Sequence, residues 1–333
     1  MSGLDEAKIR AAREEGSRFR ETFQRIKKEV HKFIVGQDPV IDGVLTVLFT
    51  GGHALLEGVP GIGKTMLIRT LGKALDLSFS RIQFTPDMLP ADILGAHVLE
   101  ETAPGKQEVV FRKGPITANL VLADEINRAT PRTQSALLEC MGEGQVTVDG
   151  QTYPLKRPFL VLATQNPIEY EGTFPLPEAQ LDRFLLKLSV GYPSPEDESQ
   201  ILLNLQREHP ITTIGQVVDG ARLLDLQRQV WEVHVDDTVR GYIVRLIQTT
   251  RQSPDLALGA SPRGSLALFK TSQALAALRG RDFVLPDDVK SLALPTLVHR
   301  LIVRPESALR GYTAERVMAG LLQETPLDIG ELE

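Results

Sequence analysis

Hydrophobic side chains near the start of the chain recur every three or four positions. This spacing runs from residue 19 to residue 30 and predicts an amphipathic helix over residues 17–32. A second helical run, residues 39–49, follows a break at residues 34–37. The first part of the chain is therefore predicted to be helical.

From residue 53 to residue 190 the pattern changes, and short apolar runs alternate with helix-like segments. Five of these runs read as buried strands, namely residues 54–56, 80–83, 120–123, 159–163 and 185–188. Such alternation is typical of a parallel sheet with helices on both faces. The predicted fold class is therefore α/β, with a parallel sheet sandwiched by helices.

Beyond the proline-rich residues 192–195, the pattern is helical and contains no convincing buried strand. The clearest helical runs are residues 217–230, 237–248, 262–278 and 286–296. We expect a domain boundary between residues 192 and 193. Residues 1–192 would form an N-terminal helix and the αβα core, and residues 193–333 an all-helical lid domain.

Two β-hairpins are predicted as insertions in the core. In the first, the apolar residues 94–99 and 109–112 flank a polar tip that contains proline and glycine. In the second, Asp149-Gly150 separates two alternating runs, which is a strong signal for a two-residue hairpin turn.

Composition limits the class of protein. A hydrophobic content of 42% with 24% charged residues is ordinary for a globular protein. No apolar stretch approaches the length of a membrane span, and the charged N-terminus argues against a signal peptide. The single cysteine, Cys140, fits a reducing compartment and a cytoplasmic localisation. The net charge of −6 argues against a generic nucleic-acid-binding surface.

The most informative motif is Gly-x4-Gly-Lys-Thr at residues 58–65, between an apolar run and a helix-compatible run. In that context, backbone N–H groups and the helix start form a phosphate cradle. Lys64 would reach the β- and γ-phosphates, and Thr65 would place its hydroxyl on Mg²⁺. The predicted nucleotide-binding residues are Gly58, Pro60, Gly61, Ile62, Gly63, Lys64, Thr65 and Met66.

Polar side chains follow two further apolar runs. Asp124 and Glu125 end the run at 120–123, where Asp124 would hold Mg²⁺ and Glu125 would polarise the attacking water. Asn166 follows the run at 159–163, and its amide could orient that water or contact the γ-phosphate. We expect these residues to meet the phosphate cradle at the carboxyl ends of the strands, where ligands of open α/β sheets bind.

Taken in order, these motifs resemble the MoxR group of AAA+ ATPases, which are of the helix-2-insert type. The resemblance spans nearly the whole chain and is carried by the phosphate cradle and by residues 34–37, 83–93, 123–131, 163–167, 178–184 and 259–264. It implies ATP and Mg²⁺ as cofactors and a homo-oligomeric, hexameric ring in which neighbouring subunits share each active site.

The same resemblance assigns further residues. Arg183 matches the arginine finger that reaches a neighbour's γ-phosphate, with Arg128 and Arg132 as rival or auxiliary fingers. Arg263 matches a second sensor of nucleotide phosphates, and whether it acts in its own subunit or across the interface stays open. The turn of Val35, Gly36 and Gln37 would pack near adenine. The predicted catalytic residues are therefore Lys64, Glu125, Asn166 and Arg183.

The resemblance also implies a function. MoxR relatives act as chaperones in the maturation of metal- or cofactor-containing enzymes, often with a von Willebrand factor A-domain protein as partner. One alternative is a DNA-acting AAA+ motor, against which the acidic balance counts. A second is the motor subunit of a metal-chelatase-type complex, and a third is a nucleotide-gated scaffold that does not hydrolyse ATP.

Overall fold

Eleven strands are found in the computed structural model, which describes residues 3–58, 63–103, 106–166, 172–205 and 213–327. In chain order the strands of these described residues are β1 (Ala54–Glu57), β2 (Phe79–Gln83), β3 (Gly95–Ala103), β4 (Lys106–Lys113), β5 (Leu120–Asp124), β6 (Gln145–Val148), β7 (Gln151–Pro154), β8 (Leu160–Gln165), β9 (Leu186–Ser189), β10 (Leu256–Leu258) and β11 (Ile302–Val303).

Helices precede the sheet, connect its strands and form most of the chain after it. They are α1 (Gly3–His31), α2 (Asp38–Thr50), α3 (Lys64–Ala74), α4 (Pro90–Leu94), α5 (Pro131–Glu143), α6 (Glu178–Leu181), α7 (Pro195–Leu205), α8 (Gly220–Trp231), α9 (Asp237–Gln252), α10 (Pro262–Leu278), α11 (Pro286–Leu297), α12 (Pro305–Leu309) and α13 (Ala314–Glu324).

The central sheet is five-stranded and parallel, with the strand order β2-β5-β8-β1-β9. One apolar cluster lies between the sheet and helices that include α1, α2, α3 and α10, and a second lies on the side of α5 and the hairpins. The predicted α/β fold with a parallel sheet between helical layers is confirmed. The strand order places β8 between β1 and β5, so the three strands that carry the predicted motifs are neighbours.

The hydrophobic pattern predicts some elements better than others. Helix α10 begins and ends where its pattern does, at Pro262 and Leu278. Helix α1 instead begins at Gly3, because the residues before the periodic segment are rich in strong helix formers such as alanine, glutamate and arginine. The short antiparallel pair of β10 and β11 is not predicted by the pattern, and it interrupts the otherwise helical C-terminal part. The boundary between residues 192 and 193 stays a prediction.

Two antiparallel hairpins occupy the positions where insertions were expected, β3 with β4 and β6 with β7. The second turns at Asp149 and Gly150, which have φ angles of 50° and 78°. These positive angles are those of a type I′ turn, which matches the twist of the flanking strands.

Across the two hairpins, His97 Nδ1 lies 2.8 Å from Asp149 Oδ2, and Phe111 stacks on Tyr153 with ring centroids 4.1 Å apart. The hairpins therefore pack against each other.

Among the described helices, none combines the length and apolar content needed to cross a membrane.

Candidate nucleotide-binding site

The phosphate cradle joins β1 to α3. Gly63 directly precedes α3 and has a φ of 85°, a left-handed conformation that is strained for any residue with a Cβ. Lys64 is the first residue of α3, and its Nζ donates a hydrogen bond to the carbonyl of Gly58 over 2.7 Å. The predicted residues Pro60, Gly61 and Ile62 lie outside the described residues.

The ammonium of Lys64 is half-buried beside the predicted carboxylates. Burial lowers the pKa of Lys64, and the charges of Asp124 and Glu125 oppose that shift. Lys64, Asp124 and Glu125 line one cleft. A cation beside two carboxylates is the charge pattern that a metal-bound phosphate chain requires.

Asp124 is the last residue of β5, and side chains from the two adjacent strands hold its carboxylate. Thr164 donates its hydroxyl to Oδ1 over 2.6 Å, and Arg81 donates Nε to Oδ2 over 3.1 Å. The same Thr164 hydroxyl accepts the backbone N–H of Glu125 over 2.9 Å. The position of both acidic residues is therefore tied to β8.

Glu125 lies just beyond the strand, in a left-handed conformation with a φ of 58°. Its carboxylate accepts a hydrogen bond from the Gln83 amide over 2.9 Å and pairs with Arg128 over 3.0 Å. The predicted general base is thus oriented by a residue of β2 and by the residue three positions after it.

Asn166 follows β8 and is buried, with 8% of its surface exposed. It lies between the cradle and the acidic pair because β8 lies between β1 and β5. The described residues of this cleft, here named the cradle cleft, are Gly58, Gly63, Lys64, Thr65, Met66, Arg81, Asp124, Glu125, Thr164 and Asn166. The structure thus brings together every described residue that was predicted to contact phosphate, Mg²⁺ or the attacking water, apart from the arginines.

The donor set of the cradle cleft fits a magnesium nucleotide. The Thr65 hydroxyl and the Asp124 carboxylate line it as hard oxygen ligands, which Mg²⁺ prefers. Lys64 and the N-terminus of α3 supply positive charge for phosphate oxygens.

The turn predicted to pack near adenine lies beside this cleft. Ile34 approaches Gly63, since its Cδ1 is 4.0 Å from where a Cβ on Gly63 would lie. In the same turn, Gly36 and Gln37 both have positive φ angles, and Gly36 borders the Asp197 carboxylate at the start of α7. Val35, Gly36 and Gln37 therefore lie close to the cradle, and their contact with adenine stays a prediction.

Arg183 and Arg263 lie elsewhere. Together they line a second cleft, named the arginine cleft, whose residues are Thr50, Gly51, Gly52, His53, Met141, Gly142, Glu143, Asp182, Arg183, Leu185, Arg263, Leu266, Ala267, Lys270 and Arg300. His53 directly precedes β1 and Leu185 directly precedes β9, so this cleft is at the amino ends of the strands. The cradle begins at the carboxyl end of β1, whose four residues span roughly 13 Å.

Within the arginine cleft, the Arg183 side chain packs on the end of α5. Its Nη1 donates to the carbonyl of Leu138 over 2.7 Å. A Cβ on Gly142 would overlap the guanidinium, so the absence of a side chain there leaves room for Arg183.

Arg128 and Arg132, the alternative candidates for the arginine finger, differ in their surroundings. Arg128 pairs with Glu125 of its own chain, at the cradle cleft. Arg132 is exposed in the first turn of α5 and lines neither cleft. Neither of them shares the arginine cleft with Arg263.

Three polar residues of the site escape prediction from the sequence. Arg81, Gln83 and Thr164 hold the acidic pair through side-chain hydrogen bonds. Arg81 and Gln83 are two positions apart on β2 and so lie on the same face of the strand, and Gln83 is in register with Asp124. That adjacency depends on β2 pairing with β5, which the order of strands along the chain does not reveal.

Comparison with known proteins agrees with this geometry. Residues 53–186 match the model of the ATPase family associated with various cellular activities (AAA), and residues 248–319 match an AAA lid domain. The chain is 48% identical to the uncharacterised protein YeaC of Bacillus subtilis, covering 91% of this chain and 93% of that protein. It is 43% identical to the protein named Chaperone MoxR1 of Mycobacterium tuberculosis, covering 92% of this chain and 82% of that protein.

Solved structures share the fold. A crystal structure of a Cytophaga hutchinsonii protein assigned as an ATPase matches with a TM-score of 0.89 and 39% identity, covering 96% of this chain and 99% of that one. A full-length MCM homolog from Methanopyrus kandleri matches with a TM-score of 0.56 and 20% identity over 86% of this chain and 61% of that one, which supports a common fold alone.

Proposed function

Because the chain belongs to the MoxR family of AAA+ ATPases, we propose that it hydrolyses ATP at sites shared between neighbouring subunits of a ring. In this proposal Lys64, Thr65 and Asp124 bind Mg-ATP in the cradle cleft. Glu125 acts as the base for the attacking water, and Asn166 orients that water. Bound Mg²⁺ would neutralise charge on the phosphates.

The observation that carries the shared site is the separation of the two clefts. Arg183 and Arg263 line one cleft at the amino ends of the strands, whereas the cradle lies at the carboxyl ends. An arginine that reached the cradle of its own chain would have to cross the sheet. Both arginines are instead available to a second copy docked with its cradle cleft against the arginine cleft. We therefore propose that Arg263, like Arg183, acts across the interface.

The chemical contribution of the neighbour would be large. A guanidinium at the γ-phosphate neutralises charge that develops during transfer, and such fingers are worth roughly 10³–10⁵ in rate. A single subunit would then bind ATP but turn it over slowly. Ring closure, with about six subunits, would complete each site.

Mixed assemblies test the shared site. Lys64→Ala subunits lose nucleotide binding but keep both arginines, and Arg183→Ala subunits keep the cradle cleft. We expect each variant to be nearly inactive alone and the mixture to regain phosphate release, because some interfaces then pair an intact cradle with an intact finger. A Lys64→Ala/Arg183→Ala double variant is the matched control and should restore nothing when mixed with Arg183→Ala. Absence of recovery at every mixing ratio, with co-assembly verified by mass, would refute the shared site.

We further propose that the ring acts as a chaperone that remodels or activates protein partners. The name of the Mycobacterium tuberculosis relative supports this class of function. So does an apolar pair on the first hairpin, where Leu99 and Val109 face each other in register with 64% and 65% of their surfaces exposed. Exposed apolar side chains on a projecting hairpin suit contact with another protein. Metalloenzymes, or enzymes with other cofactors, are the proposed clients, and a von Willebrand factor A-domain protein is the proposed co-chaperone.

The hairpin contact can be tested without disturbing hydrolysis. A Leu99→Ser/Val109→Ser protein should keep its ATP turnover but lose ATP-dependent complexes with its purified client, measured by co-sedimentation. The control is Glu101→Ser/Gln107→Ser, which alters the next exposed pair on the same face of the hairpin. Equal client binding by the apolar variant and the control would contradict a role for this pair.

A further inference from the structure

Arg183 lies between two residues that are held by the helical part of the chain. Arg300, which follows α11 and is only 6% exposed, donates Nη2 to the carbonyl of Phe184 over 2.7 Å. Its Nη1 donates to the Asp182 carboxylate and, over 3.1 Å, to the Asp182 carbonyl. His299 lies 3.1 Å from the same Phe184 carbonyl through Nε2. The backbone on both sides of Arg183 is therefore held by His299 and Arg300, the residues that follow α11.

The Asp182 carboxylate also connects to the helix that carries Arg263. Its Oδ2 accepts a hydrogen bond from the Ser261 hydroxyl over 3.1 Å. Ser261 is the N-cap of α10, and the same hydroxyl accepts the backbone N–H of Arg263 over 3.1 Å. One chain of polar contacts thus runs from Arg300 through Asp182 and Ser261 to the backbone of Arg263.

These contacts limit movement because the central group is a buried guanidinium. A guanidinium is a planar fork whose donors have fixed directions, so several simultaneous bonds define the position of its acceptors. Arg300 also donates Nε to the carbonyl of Thr296, a residue of α11, which anchors the fork to that helix. Loss of the Asp182 charge would leave the buried Arg300 charge without its counter-charge, a strongly unfavourable arrangement.

We propose that Arg300 is a positioning residue which, through Asp182 and Ser261, sets the spacing of Arg183 and Arg263 for one nucleotide of the neighbouring subunit. The proposal rests on the shared site proposed above. Arg300 itself does not reach the phosphates, and its effect is exerted in the subunit that donates the arginines. A misplacement of about 1 Å in such a group can cost roughly 10²-fold in rate.

Variants of Arg300 alone give the first test. We expect Arg300→Gln rings to lose about 10²-fold in ATP turnover. The nucleotide affinity of the isolated Arg300→Gln subunit should be unchanged, because its own cradle cleft is at the other edge of the sheet. Arg300→Lys keeps the charge but not the fork, so it should restore the melting temperature more than the turnover. The control is Arg310→Gln, which removes an exposed arginine directly after α12 that donates to the backbone carbonyl of Glu306, and it should leave turnover at the parental level.

Mixed rings separate positioning from a general structural defect. Arg300→Gln subunits keep their own cradle, so mixing with Lys64→Ala subunits, whose arginines are intact, should restore turnover. Mixing with Arg183→Ala subunits should restore none, because neither partner then presents a working pair of arginines. Ser261→Ala, which removes one hydroxyl, should show a smaller loss with the same pattern.

Two results would overturn the proposal. One is full turnover by Arg300→Gln rings. The other is that mixing Arg300→Gln with Lys64→Ala subunits restores no turnover, although mixing Arg183→Ala with Lys64→Ala subunits does. Arg300 would then act on the site of its own subunit. If neither mixture recovers, the shared site itself fails and takes this inference with it.

Discussion

At the scale of single residues, the acidic pair meets Lys64 because of where the strands of the sheet end. Asp124, Glu125 and Asn166 each follow an apolar run, and parallel strands bring such residues to one edge of a sheet. Their meeting with Lys64 was therefore predictable. The hydrogen bonds from Gln83 and Thr164 were not, because they depend on which strands are neighbours.

His53 is a second residue whose role only the structure reveals. Its ring is buried, with Nδ1 accepting the backbone N–H of Val161 over 3.0 Å and Nε2 lying 3.1 Å from the carbonyl of Met141. These contacts require the neutral ring with its proton on Nε2. Burial lowers the pKa of His53 to about 4. The ring thereby links β8 and α5 at the floor of the arginine cleft.

This lowered pKa predicts acid sensitivity. Below about pH 6.5 the unfolded chain protonates His53 while the folded chain does not, so stability falls as the pH is lowered from 6.5 to about 4. The His53 contribution over that range is at most about 3 kcal/mol. The urea midpoints of unfolding at pH 7 and pH 4.5 measure this loss of stability. His53→Gln, whose amide can both accept and donate hydrogen bonds, should show a smaller difference between its two midpoints than the parent protein does. His234→Gln changes an exposed histidine and is the control, and an equal pH dependence in all three proteins would contradict the assignment.

At the scale of elements, α5 connects the two clefts. It begins shortly after the acidic pair, and its last turns carry the Leu138 carbonyl and Gly142 that contact or accommodate Arg183. A glycine inside a helix is unfavourable by about 1 kcal/mol relative to alanine. Gly142 nevertheless suits α5, because a Cβ at this position would overlap the guanidinium of Arg183.

Gly142→Ala should therefore separate stability from activity. We expect the unfolding free energy to be unchanged or to rise by up to about 1 kcal/mol, while ATP turnover falls because the guanidinium of Arg183 must move. Gly320→Ala in α13 is the matched control, since a Cβ there would meet no atom within 4 Å, and it should leave turnover unaltered. Parental turnover in Gly142→Ala would show that the observed position of Arg183 is not the one that matters for hydrolysis.

The elements also show why some predictions were incomplete. Helix α10 has strong local signals at its start, Ser261 as N-cap followed by Pro262, so its bounds were predictable. Strands β10 and β11 are three and two residues long and pair with each other across a helical segment. Strands so short have no periodicity to read, and their existence depends on the packing of the helices around them.

At the scale of the whole molecule, the position of the two clefts at opposite edges of one sheet is the feature with the most consequence. In one chain the cradle cleft lies at the carboxyl ends of the strands and the arginine cleft lies at their amino ends. Repeated head-to-tail contact between such faces generates a ring when the rotation closes. Motifs point to residues of both clefts, but only the fold reveals that they lie at opposite ends of the strands in one chain.

The most direct test of this account is the mass of the Glu125→Gln protein by light scattering, with and without Mg-ATP. This variant should bind ATP and fail to hydrolyse it, because the base is replaced by a neutral amide of similar shape, so a nucleotide-bound assembly would persist. We expect an ATP-dependent shift to about 220 kDa, six copies of the 36.7 kDa chain. A protein that binds ATP yet stays at the mass of one chain in both conditions would contradict it, since Arg183 would then have no neighbouring site to complete.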